Sequence, residues 1–472
     1  MPEIRFASNQ GKWVLAAAIL GSGIAFLDSS VVNTALPSIK QEFDASLAGQ
    51  QWVVTGYLLT LGSLLVVGGS LGDLFGRRLA FVSGLIGFGI TSALCGIAPN
   101  LGVLIAARVG QGVTAALLVP GSMAMIAAVF HPDDRAKAIG AWSGLAGVAT
   151  AIGPFLGGWL IDTVSWRWVF LINLPLAAIA VWIALTKVPE TRGDQSGDGE
   201  RKPIDVPGAI ALSIGLAGVV YALIEGPAQG WPNLALVAAG LGVFSLLTFA
   251  MIERKSQTPM VPRSLFQSRR FAGINAATFV MWGAIGAVFF LLTIHLQTNL
   301  GYSATEAGAA TIPVTILMML FSAKSGALAQ RIGARLPLIL GSLVVAAAFA
   351  LMTRIHPGVG YVPVVFPAVM MFALGLTIVV APLSATLIAS VEGRHAGVGS
   401  AINNAVARVA SLLAIAVLPA LAGIAGSSGA SLTAGFAKAM WICAALTAAG
   451  SAICALTIFN EKPESTIPPK SS

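Results

Sequence analysis

The chain has 472 residues, of which 56% are hydrophobic and 10% are charged, and its formal net charge is +8. A soluble globular domain carries about 25% charged residues, so this composition excludes a water-soluble fold and indicates a protein whose solvent is the lipid bilayer. The cysteines Cys95, Cys443 and Cys454 all lie in apolar runs, which argues against a disulfide framework.

Apolar runs long enough to cross the hydrocarbon core, which takes about 20 residues per helix, recur along the whole chain. Fourteen of them begin near Trp13, Gln50, Leu79, Leu101, Lys137, Trp168, Pro207, Pro232, Gly273, Ala307, Leu336, Tyr361, Ala396 and Gly435. The polar leader before the first run is short and lacks a cleavage-site pattern, so we expect that run to remain as a helix. The predicted fold is an all-α integral membrane protein with 14 transmembrane helices.

The positions of Lys and Arg orient these helices. With a cytoplasmic amino terminus, 20 of the 27 Lys and Arg residues fall on the inner side and 4 on the outer side, while Arg108, Lys324 and Arg408 fall within spans. Cytoplasmic loops are enriched in these residues, so the pattern predicts a multi-pass protein of the inner (cytoplasmic) membrane with both termini cytoplasmic. Anionic inner-leaflet lipid accounts for the basic balance, and no nucleic-acid partner is expected.

Two polar stretches divide the chain into groups of six, two and six helices. The predicted parts are an N-terminal six-helix bundle at 1–187, a cytoplasmic linker at 188–206, two additional transmembrane helices at 207–253, a second cytoplasmic linker at 254–272, a C-terminal six-helix bundle at 273–460 and a cytoplasmic tail at 461–472. The first linker is charged and rich in Gly and Pro, which is typical of a flexible connection.

The segment that follows the second helix recurs after the tenth. The sequences GSLGDLFGRR at 69–78 and GALAQRIGAR at 326–335 align without gaps, and every matched pair is offset by 257 positions. Such an internal repeat predicts two duplicated halves, which are typical of secondary transporters with a binding site between the halves.

Asp28 stands alone within the apolar run AFLDSSVVNTALPSI and lies deeper in a predicted span than any other acid. A charge in mid-membrane costs about 2.5–3.5 kcal/mol on insertion scales, so such residues are paired or functional. Asp28 is therefore a candidate proton carrier, with Arg108 of the fourth helix as a cation that stays charged. The structural alternatives are a plain ion pair with Arg108 or a hydrogen-bonded kink near Pro37. The acids at helix ends are expected to be solvated caps: Asp162, Asp205, Glu225 and Glu306.

Arg408, in AINNAVARVAS, is a second deep cation with no evident acidic partner. It could bind an anionic group, be hydrated in a cavity or satisfy backbone carbonyls, and the sequence leaves these alternatives open. Aromatic and polar residues in the spans are candidates for a permissive substrate cavity, because rings stack on cations, although ordinary packing is the alternative. The candidates are Trp52, Tyr57, Gln111, Asn275, Phe279, Trp282, Phe289, Asn404 and Arg408.

Several of these segments resemble the major facilitator superfamily. GSLGDLFGRR is similar to its signature loop, LIAARVGQGVTAA at 104–116 to its fourth-helix motif, and GPFLGG at 153–158 to the fifth-helix motif of its antiporters. LDSSVVNTALP and WRWVFLINLP at 166–175 resemble the fourteen-helix drug:proton antiporter branch. The resemblance covers nearly the whole chain, including the two additional helices.

The resemblance implies a major facilitator fold and proton-coupled efflux of lipophilic, often cationic, drugs or toxic compounds by alternating access, without enzymatic activity. The alternative is proton-coupled export of an endogenous metabolite, lipid or siderophore on the same fold. The expected partners are a small-molecule substrate, protons and membrane lipid. We expect a monomer, with no cofactor and no metal.

Two motifs are expected to control the movement of the halves. In the signature loop, Asp73 would accept hydrogen bonds from a helix start, which the family resemblance places near 393–397, and Arg77 and Arg78 would face inner-leaflet phosphates. The predicted cytoplasmic gate consists of Gly69, Gly72, Asp73, Gly76, Arg77 and Arg78. The antiporter motif would bend the fifth helix and allow tight contact with the other half, a structural kink being the alternative. Its residues are Gly153, Pro154, Gly157 and Gly158.

Overall fold

The computed structural model describes residues 4–191, 205–256, 259–391, 396–424 and 430–459, which are almost entirely helical. The helices are α1 Asn9–Phe43, α2 Leu47–Phe75, α3 Arg77–Gly96, α4 Leu101–Val129, α5 Pro132–Thr163, α6 Trp168–Leu171, α7 Asn173–Lys187, α8 Val206–Gln229, α9 Asn233–Lys255, α10 Arg263–Gln267, α11 Arg269–Thr298, α12 Ala304–Ala309, α13 Ile312–Ile332, α14 Arg335–Met352, α15 Phe366–Ala389, α16 Ala396–Leu421 and α17 Ala430–Thr457. Within the described ranges, the β contact is an isolated bridge between Ile4 and Phe130. Most of the predicted first linker and the predicted tail lie outside these ranges.

Thirteen helical segments of the described residues are long and apolar enough to cross a membrane. Three of them combine consecutive elements: α6 with α7, α12 with α13, and a π-helical turn, Tyr361–Val365, with α15. The predicted fifth span coincides with α5, a helix of 32 residues that is not among the thirteen. The all-helical membrane fold is therefore confirmed, and the count of fourteen spans stays a prediction.

Side-chain caps set where several helices begin. Ser8, Ser46 and Asn100 stand directly before α1, α2 and α4, and the side-chain oxygen of each accepts a hydrogen bond from a backbone N–H three residues on. Asp205 does the same for the Gly208 N–H at the start of α8, as expected of a cap. These contacts satisfy N–H donors that have no partner inside the helix.

The two halves of the protein, α1–α7 and α11–α17, repeat one packing pattern. In the N-terminal half, α1 packs against α5 and α7, α4 against α2 and α3, and α3 against α7. In the C-terminal half, α11 packs against α16 and α17, α15 against α13 and α14, and α14 against α17. Each contact of one half has its counterpart in the other, as a duplicated bundle requires.

The repeated sequence segments also share their turn geometry. Gly76 follows α2 with φ of 123°, and Gly333 follows α13 with φ of 86°. Both values lie in the left-handed region that favours glycine. Two residues further on, Arg78 and Arg335 each donate to a backbone carbonyl at the end of the last helix of their own half. The repeat in sequence is therefore a repeat in local structure.

Gly76→Ala is expected to lower the free energy of unfolding by about 1–3 kcal/mol, because a residue with a Cβ is strained at this φ. The new methyl group would also press on the Glu190 carboxylate. Thermal unfolding of the purified protein in detergent measures the change. Gly140→Ala is the matched control, since no atom lies within 4 Å of the position its Cβ would take, and we expect a neutral or slightly stabilising effect. Equal losses in both variants would contradict the backbone argument.

The halves are joined by hydrogen bonds at the end of the bundle opposite to Ser8. Gln51 of α2 donates to the Ile415 carbonyl of α16 at 2.6 Å. Gln297 of α11 donates to the Thr34 carbonyl of α1 at 3.0 Å. We call this end of the bundle the distal end, and the end that carries Ser8 the proximal end.

Helices α8 and α9 form a pair beside both halves. α8 packs against α9, against α2 of the N-terminal half and against α16 of the C-terminal half, while α9 is mostly exposed. Trp52 Nε1 of α2 donates to Glu225 Oε1 of α8 at 2.7 Å, and Gln229 donates to the other carboxylate oxygen. Glu225 is therefore a tether between α8 and α2 rather than the solvated cap that the sequence indicates.

Candidate functional site

Asp28 lies inside the N-terminal half, and its side chain is fully buried. Arg108 Nη1 of α4 lies 2.5 Å from Asp28 Oδ2, and the Arg108 side chain is only 1% exposed. A buried pair of opposite charges is costly to separate, because either charge alone is left without solvation. The structure thus joins the two charged residues that the sequence places in separate spans.

Two amide side chains complete the surroundings of the carboxylate. Gln111 Nε2 and Asn173 Nδ2 donate to Asp28 Oδ1 at 3.0 and 3.2 Å. Both amides also donate to Ser92 Oγ, at 2.7 and 3.3 Å. We call this group the carboxylate cluster: Asp28 from α1, Ser92 from α3, Arg108 and Gln111 from α4, and Asn173 from α7.

Arg108 is also held by the interface helix α2. Its Nε donates to the Val53 carbonyl at 3.0 Å, and its guanidinium carbon lies 4.4 Å from the centre of the Tyr57 ring. Tyr57 Oη in turn donates to the Ala25 carbonyl of α1 at 3.2 Å. Since α2 contacts α16 of the other half, Arg108 connects the carboxylate cluster to the interface between the halves.

The carboxylate cluster is closed in this conformation, so a substrate in the cleft between the halves cannot touch Asp28. The ion pair with Arg108 is present, and Pro37 lies inside α1, so the kink near Pro37 stays a prediction. An ion pair does not exclude a proton carrier, because protonation of the carboxyl group removes the charge that holds the pair together.

Sequence reasoning missed Ser92 and Asn173. A signal existed for Asn173, which is a polar amide inside the apolar segment WRWVFLINLP. Ser92 offered none, because serine is common where membrane helices pack closely and needs no functional reason there.

The first residues of that segment fix the distal end of α1. Trp166 Nε1 and Arg167 Nη1 donate to the Glu42 carboxylate, each at 2.6 Å. Arg167 Nη2 also donates to the Ala98 carbonyl after α3 at 3.1 Å. The segment therefore holds α1 at two levels, at Glu42 and, through Asn173, at the carboxylate cluster.

The signature loop is bound to its own half. Asp73 accepts a hydrogen bond from Arg77 Nε at 2.8 Å, and the Arg78 backbone N–H donates to Glu190 Oε1 at 3.0 Å. Both arginines, expected to face lipid phosphates, thus have protein partners. The expected partner of Asp73, a helix start near 393–397, lies outside the residues whose side chains the structure describes.

α2 approaches α4 closely at Gly68, which is next to the predicted gate glycines and is not one of them. A Cβ at Gly69 or Gly72 would meet only ordinary van der Waals neighbours, whereas at Gly68 it would overlap the Ala116 carbonyl of α4. In this conformation Gly69 and Gly72 therefore have room for a side chain among the described residues, whereas Gly76 is required for its backbone conformation.

The glycines of the antiporter motif make close contacts on two sides. Gly153 and Gly157 face α1, where a Cβ would overlap side chains. Gly158 faces the other half, where a Cβ would overlap the backbone at the start of α12, and Gly308 of α12 approaches the Pro154 carbonyl equally closely. The motif thus allows α5 to contact both α1 and the opposite half.

Asp162 strengthens the same contact between the halves. Its carboxylate oxygens accept hydrogen bonds from the Ala304 and Thr305 backbone N–H groups at 3.2 and 2.8 Å. These groups begin α12, so Asp162 caps a helix of the other half rather than a helix of its own. The contact of α5 with α12 is a second distal connection, in addition to that of α2 with α16.

The candidate cavity residues lie in three kinds of surroundings. Trp52 is hydrogen-bonded to Glu225 of α8. Glu306 is not one of these candidates; it forms a capping box with Ser303, as expected of a cap. The buried candidates are Tyr57 and Gln111, beside Arg108, and Asn275, inside the C-terminal half. The half-buried or exposed candidates are Phe279, Trp282, Phe289, Asn404 and Arg408. A single cavity formed by the nine candidates stays a prediction.

A cavity of about 300 Å³ lies at the distal end between the two halves and α8. Its walls include Gln50 of α2, Leu223 of α8, Ile294 of α11 and Ala416 of α16. Small-molecule sites have volumes of about 300–1,000 Å³, so this cavity is at the lower limit of that range. It shows that α8 contributes to the wall of the space between the halves.

The chain is similar to one protein family and to proteins of known sequence over most of its length. A family model described as Major Facilitator Superfamily matches residues 18–415. The puromycin resistance protein pur8 of Streptomyces alboniger is 35% identical over 86% of this chain and 80% of its own length. The tetracenomycin C resistance and export protein of Streptomyces glaucescens is 33% identical over 86% of this chain and 75% of its own length.

Among solved structures, the inward-open xylose transporter XylE from E. coli superimposes with a TM-score of 0.65. The match covers 96% of this chain and 97% of that one, at 15% sequence identity. At such low identity the likeness concerns the fold alone, and it extends to both halves of the bundle.

Proposed function

Because the chain belongs to the major facilitator superfamily, we propose that it is a proton-coupled antiporter that exports lipophilic drugs or toxic compounds by alternating access. It is a multi-pass membrane transporter, and relatives named for antibiotic resistance or export favour efflux. One observation carries the proposal of proton coupling: a single carboxylate, Asp28, is fully buried in the N-terminal half and paired with Arg108.

Protonation of Asp28 would change how α2 is held. The proton removes the negative charge, while Arg108 stays charged under all relevant conditions. The guanidinium is then left with the Gln111 amide, the Val53 carbonyl and the Tyr57 ring as its contacts. Two of these three belong to α2, which contacts the other half, so the charge on Asp28 biases the arrangement of the halves.

The proposed arrangement in the membrane follows the distribution of Lys and Arg. We infer fourteen spans, with α5 as the fifth, and place the proximal end and both termini in the cytoplasm. The distal contacts then close the outer side of the cleft in this conformation. The two six-helix bundles rock about the cleft, and one copy of the chain is sufficient for transport.

The proposal is tested with purified protein in lipid vesicles that carry an imposed pH gradient, using one lipophilic cationic dye and one lipophilic anionic dye. We expect the wild type to move at least one dye against its concentration gradient. Asp28→Asn keeps the size of the side chain and, like the protonated acid, has one acceptor oxygen and one donor group, but it cannot exchange a proton, so uphill transport should fall to the background level. Downhill dye exchange should persist in this variant.

Asp44→Asn is the matched control, because Asp44 is exposed in the turn after α1 and its left-handed backbone, with φ of 47°, tolerates asparagine. We expect this variant to behave as the wild type does. Undiminished uphill transport by Asp28→Asn would remove Asp28 from the mechanism.

A further inference from the structure

Arg408 places a charge in the middle of α16 and directs it toward the N-terminal half. Its guanidinium carbon lies 5.5 Å from the centre of the Phe26 ring of α1. Its Cβ lies against Gly62 of α2, and its charge also reaches Tyr57. The side chain is half-buried, and with the residues that the structure describes it makes neither an ion pair nor a hydrogen bond.

The described part of the C-terminal half offers no free carboxylate to Arg408. From 273 to 460 the sequence contains two acids, Glu306 and Glu392. Glu306 belongs to the capping box of α12, and Glu392 lies outside the residues that the structure describes. Asp28 is enclosed in the carboxylate cluster, where both oxygens already accept hydrogen bonds.

A guanidinium group in this position requires acceptors. It carries five N–H donors, and a charged group within the membrane is retained when it pairs with something or acts on a ligand. The half-buried ring of Phe26 beside it provides apolar surface for a flat aromatic body. A cationic ligand, in contrast, would be repelled by Arg408 and would find Asp28 inaccessible.

We propose that Arg408 is the anion-binding residue of the substrate site, and that the exported compounds include planar aromatic molecules that carry a carboxylate. The carboxylate accepts hydrogen bonds from the guanidinium, and the aromatic body lies along Phe26. This inference rests on the efflux function proposed above, and it reverses the preference for cations that the sequence analysis expects.

The test compares three probes that share one ring system and differ in charge. Anthracene-9-carboxylate is the anion, its carboxamide is neutral, and 9-(aminomethyl)anthracene is the cation. Binding to the purified full-length protein is measured by titration calorimetry without a pH gradient. We expect the wild type to bind the carboxylate at least about tenfold more tightly than the carboxamide, as a charge-assisted hydrogen bond provides. The ammonium probe should bind most weakly.

Variants then assign this preference to Arg408. In Arg408→Gln, the carboxylate should lose its advantage while binding of the carboxamide changes little, which also shows that the protein is folded. Arg408→Lys should retain part of the preference, because it keeps the charge but not the planar fork. Arg254→Gln is the control, since Arg254 is exposed at the end of α9 and should leave all three affinities unchanged.

Three results would overturn the proposal: equal affinity of the wild type for carboxylate and carboxamide, tighter binding of the ammonium probe, or a loss in Arg408→Gln that is the same for all three probes. These results are independent of proton coupling. If the order of affinities fails while uphill efflux of a cationic dye persists, the efflux proposal stands without the anion site. If Asp28→Asn retains uphill efflux, coupling fails while the order of affinities is still measurable.

Discussion

Arg108→Leu is expected to lower the free energy of unfolding by about 3–5 kcal/mol, the cost of leaving one charge of a buried pair without its partner. Among the described residues, the other side chains that donate hydrogen bonds to Asp28 are Gln111 and Asn173, which carry no charge. Chemical unfolding of the purified protein in mild detergent, at a pH where carboxylates are ionised, measures the loss.

Two further variants separate charge from packing. Replacing both charged partners by amides, Asp28→Asn with Arg108→Gln, should recover most of the stability, because neither side chain then needs a counter-charge. Arg5→Leu removes a side chain that is 59% exposed and is expected to cost less than about 1 kcal/mol, as surface ion pairs do. If the double replacement were as unstable as Arg108→Leu, the loss would come from packing rather than from the unpaired carboxylate.

Gly158→Leu is expected to shift the protein out of the conformation described here without unfolding either half. A side chain at this position overlaps the backbone at the start of α12, and backbone cannot move aside as a flexible side chain can. Overpacking of this kind costs about 1–3 kcal/mol, which changes a two-state population about 5-fold to 150-fold. We therefore expect the halves to separate at the distal end.

The separation is measured between spin labels attached to cysteines that replace Gln41 and Arg354, which are exposed at the distal ends of opposite halves. The mean distance should increase in Gly158→Leu. It should stay unchanged in Gly144→Leu, where no atom lies within 4 Å of the Cβ position on the same helix. An unchanged distance in Gly158→Leu would show that α5 and α12 do not control distal closure.

The helices could be predicted because each is a local property of the sequence. An apolar run near the length of the hydrocarbon core forms a helix regardless of what it contacts, since its backbone groups have no other partners in lipid. The duplicated turns were equally visible, because Gly76 and Gly333 occupy matching places in two similar segments. The fifth span shows the limit of this argument. α5 is a long helix, but it is not among the thirteen segments that are both long and apolar enough to cross a membrane.

The composition of the site could be predicted only in part, because its contacts join positions far apart in the chain. Asp28 and Arg108 stood out as charges within apolar runs, yet nothing local indicates that Asn173 meets them. The sequence predicts solvated caps at Glu225 and Asp162 because both lie at helix ends. Their actual partners, Trp52 and the start of α12, depend on how the helices pack, which periodicity does not specify.

The position of α8 makes the two seams between the halves unequal. One seam, where α2 meets α16, is covered on its outside by α8 and α9, and Trp52 binds this cover to α2 through Glu225. The other seam, where α5 meets α12 and α13, has no comparable helix pair over it in the part of the chain described here. A compound dissolved in the bilayer would therefore be separated from the first seam by α8 and α9, whereas it could contact the second seam directly.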